Sequence, residues 1–343
     1  MNKNSKHTVL ITSYIEPEYV EKFSQVDDQF EIIYEPTLIP SPRYAGDHTG
    51  YPFSRTATEE KNWLNLLAKA EILFDFDKTH KKELPDLAPR VRWIQGTSTG
   101  IGQFVHDMEY DERMPNTIFT VAGIHAQPLA EFCVMSLLMH YKRAQVMIEQ
   151  KSKKCFNRYS GSDLEGRTIA ILGLGRNGSA VAKMAQGIGM HVIGSDLLTK
   201  NDIVDEFFFI SDIDSMLRNA EILVITLPET PFTKKLIDAN KFTMLPENAF
   251  LINISRGSIV DEAALISNLQ SGKLSGAALD VYEKEPLQIE SPLWDMPNVI
   301  LSPHAASISD HENMRLCHVF CDNLRLYLDG KPLKNRLNTE LLY

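Results

Sequence analysis

Residues 166–196 read GRTIAILGLGRNGSAVAKMAQGIGMHVIGSD, and this stretch decides the fold of the chain around it. The apolar run from Thr168 to Leu172 is typical of a buried strand, and the glycine-rich segment GLGRNG (173–178) follows at once. Ser179 to Gln186 is rich in alanine and predicts a helix that two glycines end. A second apolar run, Met190 to Gly194, follows. The pattern predicts strand, turn, helix and strand, the opening of a doubly wound α/β domain.

The glycines of this turn suit a bound dinucleotide. A first glycine permits the tight turn, a second lets the backbone approach a pyrophosphate, and a third lets the helix pack closely on the strand. The amino end of the helix offers free N–H groups and a partial positive charge to phosphate. We therefore expect the pyrophosphate to be bound by Gly173, Gly175, Arg176, Asn177 and Gly178. The alternative is a glycine-rich turn without a ligand.

Asp196 indicates which dinucleotide is bound. It ends the second strand, 18 residues after Gly178. A carboxylate about 20 residues beyond such a turn accepts hydrogen bonds from the adenosine ribose and repels a 2′-phosphate. The sequence therefore predicts NAD rather than NADP as the cofactor. Because the turn begins only at residue 173, the chain also has room for a separate domain before it.

Length and charge exclude several classes of protein. A chain of 343 residues can form two domains, and 45 acidic against 35 basic residues give a formal net charge of −10. This balance argues against a general nucleic-acid or anionic-membrane surface. The amino terminus has no apolar run of secretory-signal length, and Pro128 to Tyr141 is too short to span a bilayer. We expect a cytoplasmic protein with no nucleic-acid or membrane partner.

The four cysteines show no disulfide framework. Cys317 and Cys321 lie one turn apart on a predicted helix with His318 between them, a spacing that would permit a metal ligand set. Buried reduced thiols on an amphipathic helix explain the spacing better, and we expect no metal.

Strand and helix patterns alternate on both sides of the glycine-rich turn. The predicted strands are Val9–Thr12, Glu31–Tyr34, Ile72–Asp75, Val91–Gln95, Phe119–Ala122, Ile222–Leu227, Phe250–Ser255, Gly276–Val281 and Val299–Ser302. The predicted helices are Glu16–Phe23, Glu59–Ala70, Pro128–Lys151 and Asp310–Asp329. Alternation of this kind implies parallel sheets with helices on both faces.

One segment interrupts the alternation. Pro40 to Thr58 (PSPRYAGDHTGYPFSRTAT) is a long loop, and such loops are usually functional or disordered. If it is functional, we expect Arg43, His48 or Arg55 to recognise a distal polar group of the substrate.

Three polar stretches each follow a strand-like run. They are NISRG (253–257), ALDVYEKEP (278–286) and SPHAAS (302–307). The carboxyl ends of parallel strands meet at one edge of a doubly wound sheet, where ligands bind. We therefore expect Arg256, Asp280, Glu285 and His304 to cluster there.

These residues resemble the D-isomer-specific 2-hydroxyacid dehydrogenase family. The resemblance runs from about Pro115 to Asn338 and includes LPETPFTKKLI (227–237) and MLPENAFLINISRG (244–257). It implies an oxidoreductase that transfers a hydride between NAD(H) and a D-2-hydroxy acid or its 2-keto counterpart.

The resemblance also implies a role for each site residue. Arg256 would hold the substrate carboxylate and carbonyl, and His304 would donate or accept the proton with Glu285 as its partner. Asp280 would contact the nicotinamide end of the cofactor. The remaining cofactor contacts would come from Pro228, Thr233, Ile254, Ser255, Arg256, His304 and Ala306.

The chemistry agrees with these roles. Reduction of a 2-keto acid needs a hydride at carbon and a proton at oxygen. A guanidinium binds a carboxylate bidentately, and an imidazolium donates protons near neutral pH, helped by a neighbouring carboxylate. Taken singly, Arg256 also fits a surface ion pair, Glu285 a solvated loop and His304 a core or capping histidine. Three such motifs follow the glycine-rich turn in the expected order, and together they favour the interpretation of these residues as an active site.

A second binding loop is expected in the first domain. QGTSTGIG (95–102) follows a strand, and its backbone amides would bind a carboxylate as a nest does. The resemblance places the substrate loop here, with Thr99 and Gly100 as the candidates. A plain glycine turn before a helix is the alternative.

The resemblance implies two doubly wound parallel-sheet domains. A flavodoxin-like substrate domain would comprise 1–122 plus 310–343, and a Rossmann NAD-binding domain would comprise 123–309. The active site would lie in the cleft between them, where closure excludes water. The resemblance also implies a homodimer through the nucleotide domains, with the Pro128 helix taking part.

A second functional class stays open. Transcriptional corepressors that resemble this family retain the same trio, so an NAD(H)-sensing binding protein is the alternative. The acidic charge and the lack of a long disordered tail argue against it. Asn177, Gly102 and the HAAS segment depart from the family pattern, and the particular acid is left undetermined.

Overall fold

The computed structural model describes residues 6–196 and 202–342. The chain divides into two compact units, Met1–His125 with Ile308–Tyr343, and Ala126–Ser307. The domain limits predicted from the sequence, 122/123 and 309/310, differ from this division by a few residues and stay a prediction.

The first unit is built on a five-stranded sheet. Its strands and helices up to residue 125 are β1 His7–Ile11, α1 Pro17–Ser24, β2 Phe30–Ile33, α2 Ala57–Lys69, β3 Ile72–Phe74, α3 Leu84–Leu87, β4 Trp93–Gln95, α4 Gly102–Asp107, α5 Tyr110–Arg113 and β5 Ile118–Thr120. All strand pairs are parallel, in the order β2-β1-β3-β4-β5. This is the flavodoxin-like order.

The second unit is built on a seven-stranded sheet. Its elements are α6 Ala126–Tyr141, α7 Ala144–Ser152, β6 Thr168–Leu172, α8 Arg176–Gly187, β7 His191–Asp196, β8 Glu206–Phe209, α9 Ile213–Leu217, β9 Ile222–Ile225, α10 Ala239–Met244, β10 Ala249–Asn253, α11 Glu262–Ser271, β11 Leu274–Leu279 and β12 Val299–Leu301. The parallel order β12-β11-β10-β9-β6-β7-β8 reverses between β6 and β9, which is the Rossmann arrangement. The predicted pair of doubly wound parallel sheets is confirmed.

The strands form because they are apolar on both faces. In the second unit β9 and β10 are buried along their whole length, as expected of a parallel sheet covered by helices. In the first unit the last helix, α12 Glu312–Leu328, covers one face of the sheet. The centroid of its Phe320 ring lies 5.1 Å from the ring centroid of Phe74 and 4.8 Å from that of Phe23. Cys317 and Cys321 are buried on this same helix as free thiols.

The long helix predicted over Pro128–Lys151 is wrong. The chain forms two helices, α6 and α7, because Arg143 adopts a left-handed conformation with φ of 58°. The carbonyl of Tyr141 then accepts from the N–H of Ser162 instead of continuing the helix. Neither glycine nor proline marks this break. Among the described residues, none of the helices is both long and apolar enough to cross a membrane.

The segment predicted as a loop over Pro40–Thr58 ends where α2 begins at Ala57, and its side chains make hydrogen bonds within the first unit. Asp47 is buried and accepts hydrogen bonds from the Arg43 side chain at 2.6 Å and from the N–H groups of Thr49 and Gly50. The Arg55 side chain is 2% exposed and donates to the carbonyl of Leu38, and the His48 ring forms a hydrogen bond with the Ser13 hydroxyl. Each of the three side chains expected to reach a substrate therefore has a structural partner within the first unit.

Candidate active site

The glycine-rich turn after β6 has the shape that a pyrophosphate requires. Gly173 has φ of 101°, and a Cβ on Gly178 would lie 1.9 Å from the carbonyl oxygen of Gly173. A Cβ on Gly175 would instead point into open space. Arg176, Asn177 and Gly178 form the first turn of α8, whose N–H groups have no helical acceptor. The turn therefore fits a bound dinucleotide.

Asp196 lies beside this turn. It is the last residue of β7, and its Oδ2 accepts a hydrogen bond from the N–H of Leu174 at 2.7 Å. The carboxylate predicted to bind the adenosine ribose is therefore held against the loop predicted to bind the phosphates.

Hydroxyl groups hold the segments that follow β9 and β10, with one hydrogen bond inside the β9 segment and one between the two segments. Thr233 is buried and donates to the carbonyl of Pro228 at 2.8 Å, and the Ser255 hydroxyl donates to the carbonyl of Leu227. Ile254 is buried next to Ser255. These predicted cofactor residues thus line the carboxyl ends of two neighbouring strands.

The backbone around Arg256 is held by two hydrogen bonds of the Asn253 side chain. The Asn253 side chain accepts from the N–H of Ser255 at 3.1 Å and donates to the carbonyl of Arg256 at 3.0 Å. The guanidinium of Arg256 is half-buried and donates to the Ser255 carbonyl at 2.8 Å. Gly257 is required here, because a Cβ would lie 1.8 Å from the backbone of Tyr282.

Asp280 holds the loop that carries His304. Its Oδ1 accepts from the Ser302 hydroxyl at 2.6 Å and from the N–H groups of Ala305 and Ala306 at 2.8 and 2.9 Å. The Asp280 carboxylate is 2% exposed. Its structural role is thus to support the His304 loop, while the predicted nicotinamide contact stays a prediction.

His304 and Glu285 form the central pair. The Nδ1 atom of His304 lies 2.8 Å from Oε2 of Glu285, and the other carboxylate oxygen accepts from the N–H of Tyr282 at 3.2 Å. Both side chains are partly exposed. Partial burial raises the pKa of Glu285, but the hydrogen bond and charge of His304, the Tyr282 N–H and the charge of Arg256 more than offset it, so that this pKa is lowered.

Arg256, Glu285 and His304 therefore lie together at the carboxyl edge of the second sheet. They follow β10, β11 and β12, which are neighbouring strands. A cation, a carboxylate and an imidazole at one sheet edge can bind an anionic substrate and move one proton.

Thr99 and Gly100 lie in the first unit, after β4. The Thr99 hydroxyl is 2.9 Å from Nδ1 of His125, and the Gly100 N–H donates to Ser98 at 3.3 Å. Both residues follow the carboxyl end of a parallel strand, as the substrate-loop prediction requires.

Sequence reasoning missed several supporting residues. Asn253 and Ser302 stand in the quoted motifs, three residues before Arg256 and two residues before His304, and this proximity was the available signal. Thr226 donates to the carbonyl of Gly173 at 2.6 Å and closes the glycine-rich turn across strands, which no local pattern indicates.

The fold and this site define a class of protein, the dinucleotide-dependent oxidoreductases. The family model of the D-isomer specific 2-hydroxyacid dehydrogenase NAD binding domain matches residues 133–306. The chain is 32% identical over 276 residues to a glyoxylate reductase of Aeropyrum pernix, covering 76% of this chain and 80% of that protein. It is 32% identical over 304 residues to glyoxylate/hydroxypyruvate reductase B of Citrobacter koseri, and the match covers 85% of this chain and 92% of that protein.

A solved structure shows the same fold. The D-isomer specific 2-hydroxyacid dehydrogenase of Xanthobacter autotrophicus, in complex with NADPH and MES, superposes with a TM-score of 0.79 at 23% identity, covering 99% of this chain and all of that one. The chain belongs to the D-isomer specific 2-hydroxyacid dehydrogenase family. It is an oxidoreductase that transfers a hydride between a nicotinamide dinucleotide and a 2-hydroxy acid or its 2-keto counterpart, and the sensing alternative is not favoured.

Proposed function

We propose that His304, Glu285 and Arg256 carry the reaction of a D-2-hydroxyacid dehydrogenase that uses NAD(H). The observation that supports this most directly is the 2.8 Å contact between the His304 imidazole and the Glu285 carboxylate, with Arg256 at the same sheet edge. An imidazole held by a carboxylate is suited to donating and accepting a proton near neutral pH.

The protein side chains have separate tasks in this reaction. The nicotinamide, when bound, supplies the hydride for reduction or accepts it in oxidation. During reduction a C–H bond forms at the carbonyl carbon, and His304 Nε2 donates a proton to the oxygen, which becomes the hydroxyl. Glu285 accepts the Nδ1–H of His304 and so stabilises the imidazolium. Arg256 binds the substrate carboxylate through paired N–H groups.

The local residues support NAD as the cofactor. The Asp196 carboxylate lies against the pyrophosphate turn, where it would bind the ribose hydroxyls and repel a 2′-phosphate. The Xanthobacter structure has the same fold and contains NADPH, so the fold alone does not select NAD, and the proposal depends on Asp196.

The substrate is a small 2-keto acid. The names of the two relatives, a glyoxylate reductase and a glyoxylate/hydroxypyruvate reductase, support this size class. Thr99 and Gly100 would supply a hydroxyl and an N–H to the substrate carboxylate.

The protein acts as a homodimer in the cytoplasm. Apolar side chains stand exposed along α6, α7 and the segment that follows, namely Met135, Leu138, Met147, Ile148, Phe156 and Tyr159. Phe156 is 95% exposed, and so many exposed apolar side chains on consecutive elements support pairing with a second copy. The four free thiols are suited to a reducing compartment.

A panel of 2-keto acids with NADH and NADPH tests these proposals together. We expect loss of reduced-nicotinamide absorbance with glyoxylate, hydroxypyruvate or pyruvate, faster with NADH, and chiral analysis of the products of prochiral acids should give the D isomer. Preference for NADPH would overturn the role of Asp196. NADH binding without turnover of any acid would favour the sensing function.

A further inference from the structure

A row of three polar side chains runs from the proposed substrate loop into the interior of the first unit, and it begins at the partly buried Thr99. The Thr99 hydroxyl is 2.9 Å from Nδ1 of His125, and Nε2 of the same ring is 3.4 Å from Oε1 of Glu312. His125 is 8% exposed and Glu312 is 6% exposed. The Arg256–Glu285–His304 site does not include this row.

The charges around Glu312 decide where a proton is held. Its other oxygen, Oε2, is buried without a hydrogen-bond partner among the described residues. His48 lies nearby, but burial lowers the pKa of that imidazole in spite of the charges of Asp75 and Glu312. Lys78, whose charge also acts on His48, forms an ion pair with Asp75 at 3.1 Å. Among the described residues, His125 is the group that the structure places in ion-pair contact with Glu312.

A buried carboxylate without a counter-charge is strongly unfavourable, so one proton shared between Glu312 and His125 would compensate the charge at this contact. The proton can be on His125, which is then an imidazolium, or on Glu312, whose O–H then donates to Nε2. In both arrangements Nδ1 of His125 carries a hydrogen and donates it to the oxygen of Thr99.

The direction of this hydrogen bond sets what Thr99 can offer to a substrate. A Thr99 oxygen that accepts from Nδ1 keeps its own O–H free to donate. Without the shared proton, His125 would donate from Nε2 to Glu312, and Thr99 would have to donate to Nδ1. It would then have no donor left for a substrate carboxylate.

We propose that His125 and Glu312 are positioning residues that turn the Thr99 hydroxyl into a hydrogen-bond donor for the substrate carboxylate. The inference rests on the proposed function, since it requires that Thr99 bind the acid. It adds two residues of the first unit to substrate recognition, neither of which touches the reacting atoms.

Two substitutions of His125 separate this role from a merely structural one. Asparagine places its N–H where Nδ1 stands and keeps the donor to Thr99, whereas glutamine places its N–H where Nε2 stands and loses that donor. We expect His125→Gln and Thr99→Val each to raise the KM for the keto acid about tenfold with kcat nearly unchanged, because each removes one hydrogen bond to a charged group. His125→Asn should keep KM within about twofold. His106→Gln, at an exposed histidine of the same unit, is the matched control.

The kinetic outcomes distinguish the two levels of the proposal. An unchanged KM in Thr99→Val would contradict the substrate role of Thr99. If Thr99→Val raises KM but His125→Gln does not, only the positioning role is overturned. Equal impairment of His125→Asn and His125→Gln would also overturn it. If either variant is unstable in thermal unfolding, the Thr99→Val/His125→Gln double variant decides. It should show no KM increase beyond Thr99→Val alone, and an additive increase would contradict the inference.

Discussion

Single carboxylates organise the candidate active site by accepting several hydrogen bonds at once. Asp280 accepts from Ser302, Ala305 and Ala306, and Glu285 accepts from Tyr282 while it contacts His304. His304 itself has φ of 54°, a left-handed conformation that an L residue adopts only where its surroundings hold it. At the residue scale, the His304 loop and imidazole are thus held by one buried carboxylate, Asp280, and one partly exposed carboxylate, Glu285.

Replacing His304 with glutamine tests the proton transfer. We expect kcat to fall by about 10²–10⁴-fold, because an amide cannot donate or accept the proton, while NADH binding measured by fluorescence is retained. His191→Gln, at an exposed histidine of the same unit, should leave kcat unchanged. Near-normal turnover in His304→Gln would contradict the assigned role.

The lowered pKa of Glu285 has a consequence for stability. Partial burial raises this pKa, but the His304 hydrogen bond and the nearby positive charges outweigh burial. A carboxyl group whose pKa is lower in the folded than in the unfolded protein stabilises the fold at pH values above its unfolded-state pKa. This contribution is lost as the pH falls through the folded-state pKa.

Glu285→Gln should therefore cost more stability at neutral pH than in acid. Free energies of unfolding in urea, measured for both proteins at about pH 7 and about pH 4, check the sign, since model glutamates titrate near 4.3. A stability difference that is the same at both pH values would show that the Glu285 contacts do not depend on its charge.

At the scale of elements, the turn between β6 and α8 was predictable because its requirements are local. The requirement for glycine at Gly173 and Gly178 arises within six residues of sequence. The apolar pattern of the flanking strands can likewise be recognised over a few residues. The edge strand β8, EFFF, was not predicted, because its half-exposed phenylalanines do not show the buried pattern of a central strand. The break at Arg143 was missed because it depends on the contact of Tyr141 with Ser162.

Two glycines of α8 provide a matched test of the turn. Gly178→Ala would place a methyl group 1.9 Å from the Gly173 carbonyl, whereas nothing lies within 4 Å of a methyl group at Gly187. We expect Gly178→Ala to weaken NADH binding by more than about tenfold, since the turn must move. Gly187→Ala should retain affinity and gain up to about 1 kcal/mol of stability from helix propensity.

Binding is measured by NADH titration and stability by urea unfolding. Equal NADH affinity in both variants would contradict the close approach of helix and turn.

At the scale of the whole molecule, the exposed apolar side chains of α6, α7 and the following segment predict association. We expect the wild type to run as a dimer in size-exclusion chromatography with light scattering. Ile148→Asp with Phe156→Ser should shift it to the monomer, because charge and polarity replace the exposed apolar surface. Ile289→Asp, at an exposed side chain elsewhere in the second unit, is the control. A wild type that is monomeric, or a double variant that stays dimeric, would contradict this interface.

The sequence by itself determined the fold class, the dinucleotide turn and the three motifs at the sheet edge. These depend on periodicity over a few residues and on the rule that parallel strands end at a common edge. Only the tertiary structure decided that Asp280 holds the His304 loop and that His125, Glu312 and Thr99 form one row. His125 and Glu312 are 187 residues apart in the chain, so their contact depends on the packing of α12 against the first sheet. Local sequence carries no signal for such a contact, because folding creates it by joining distant segments in one core.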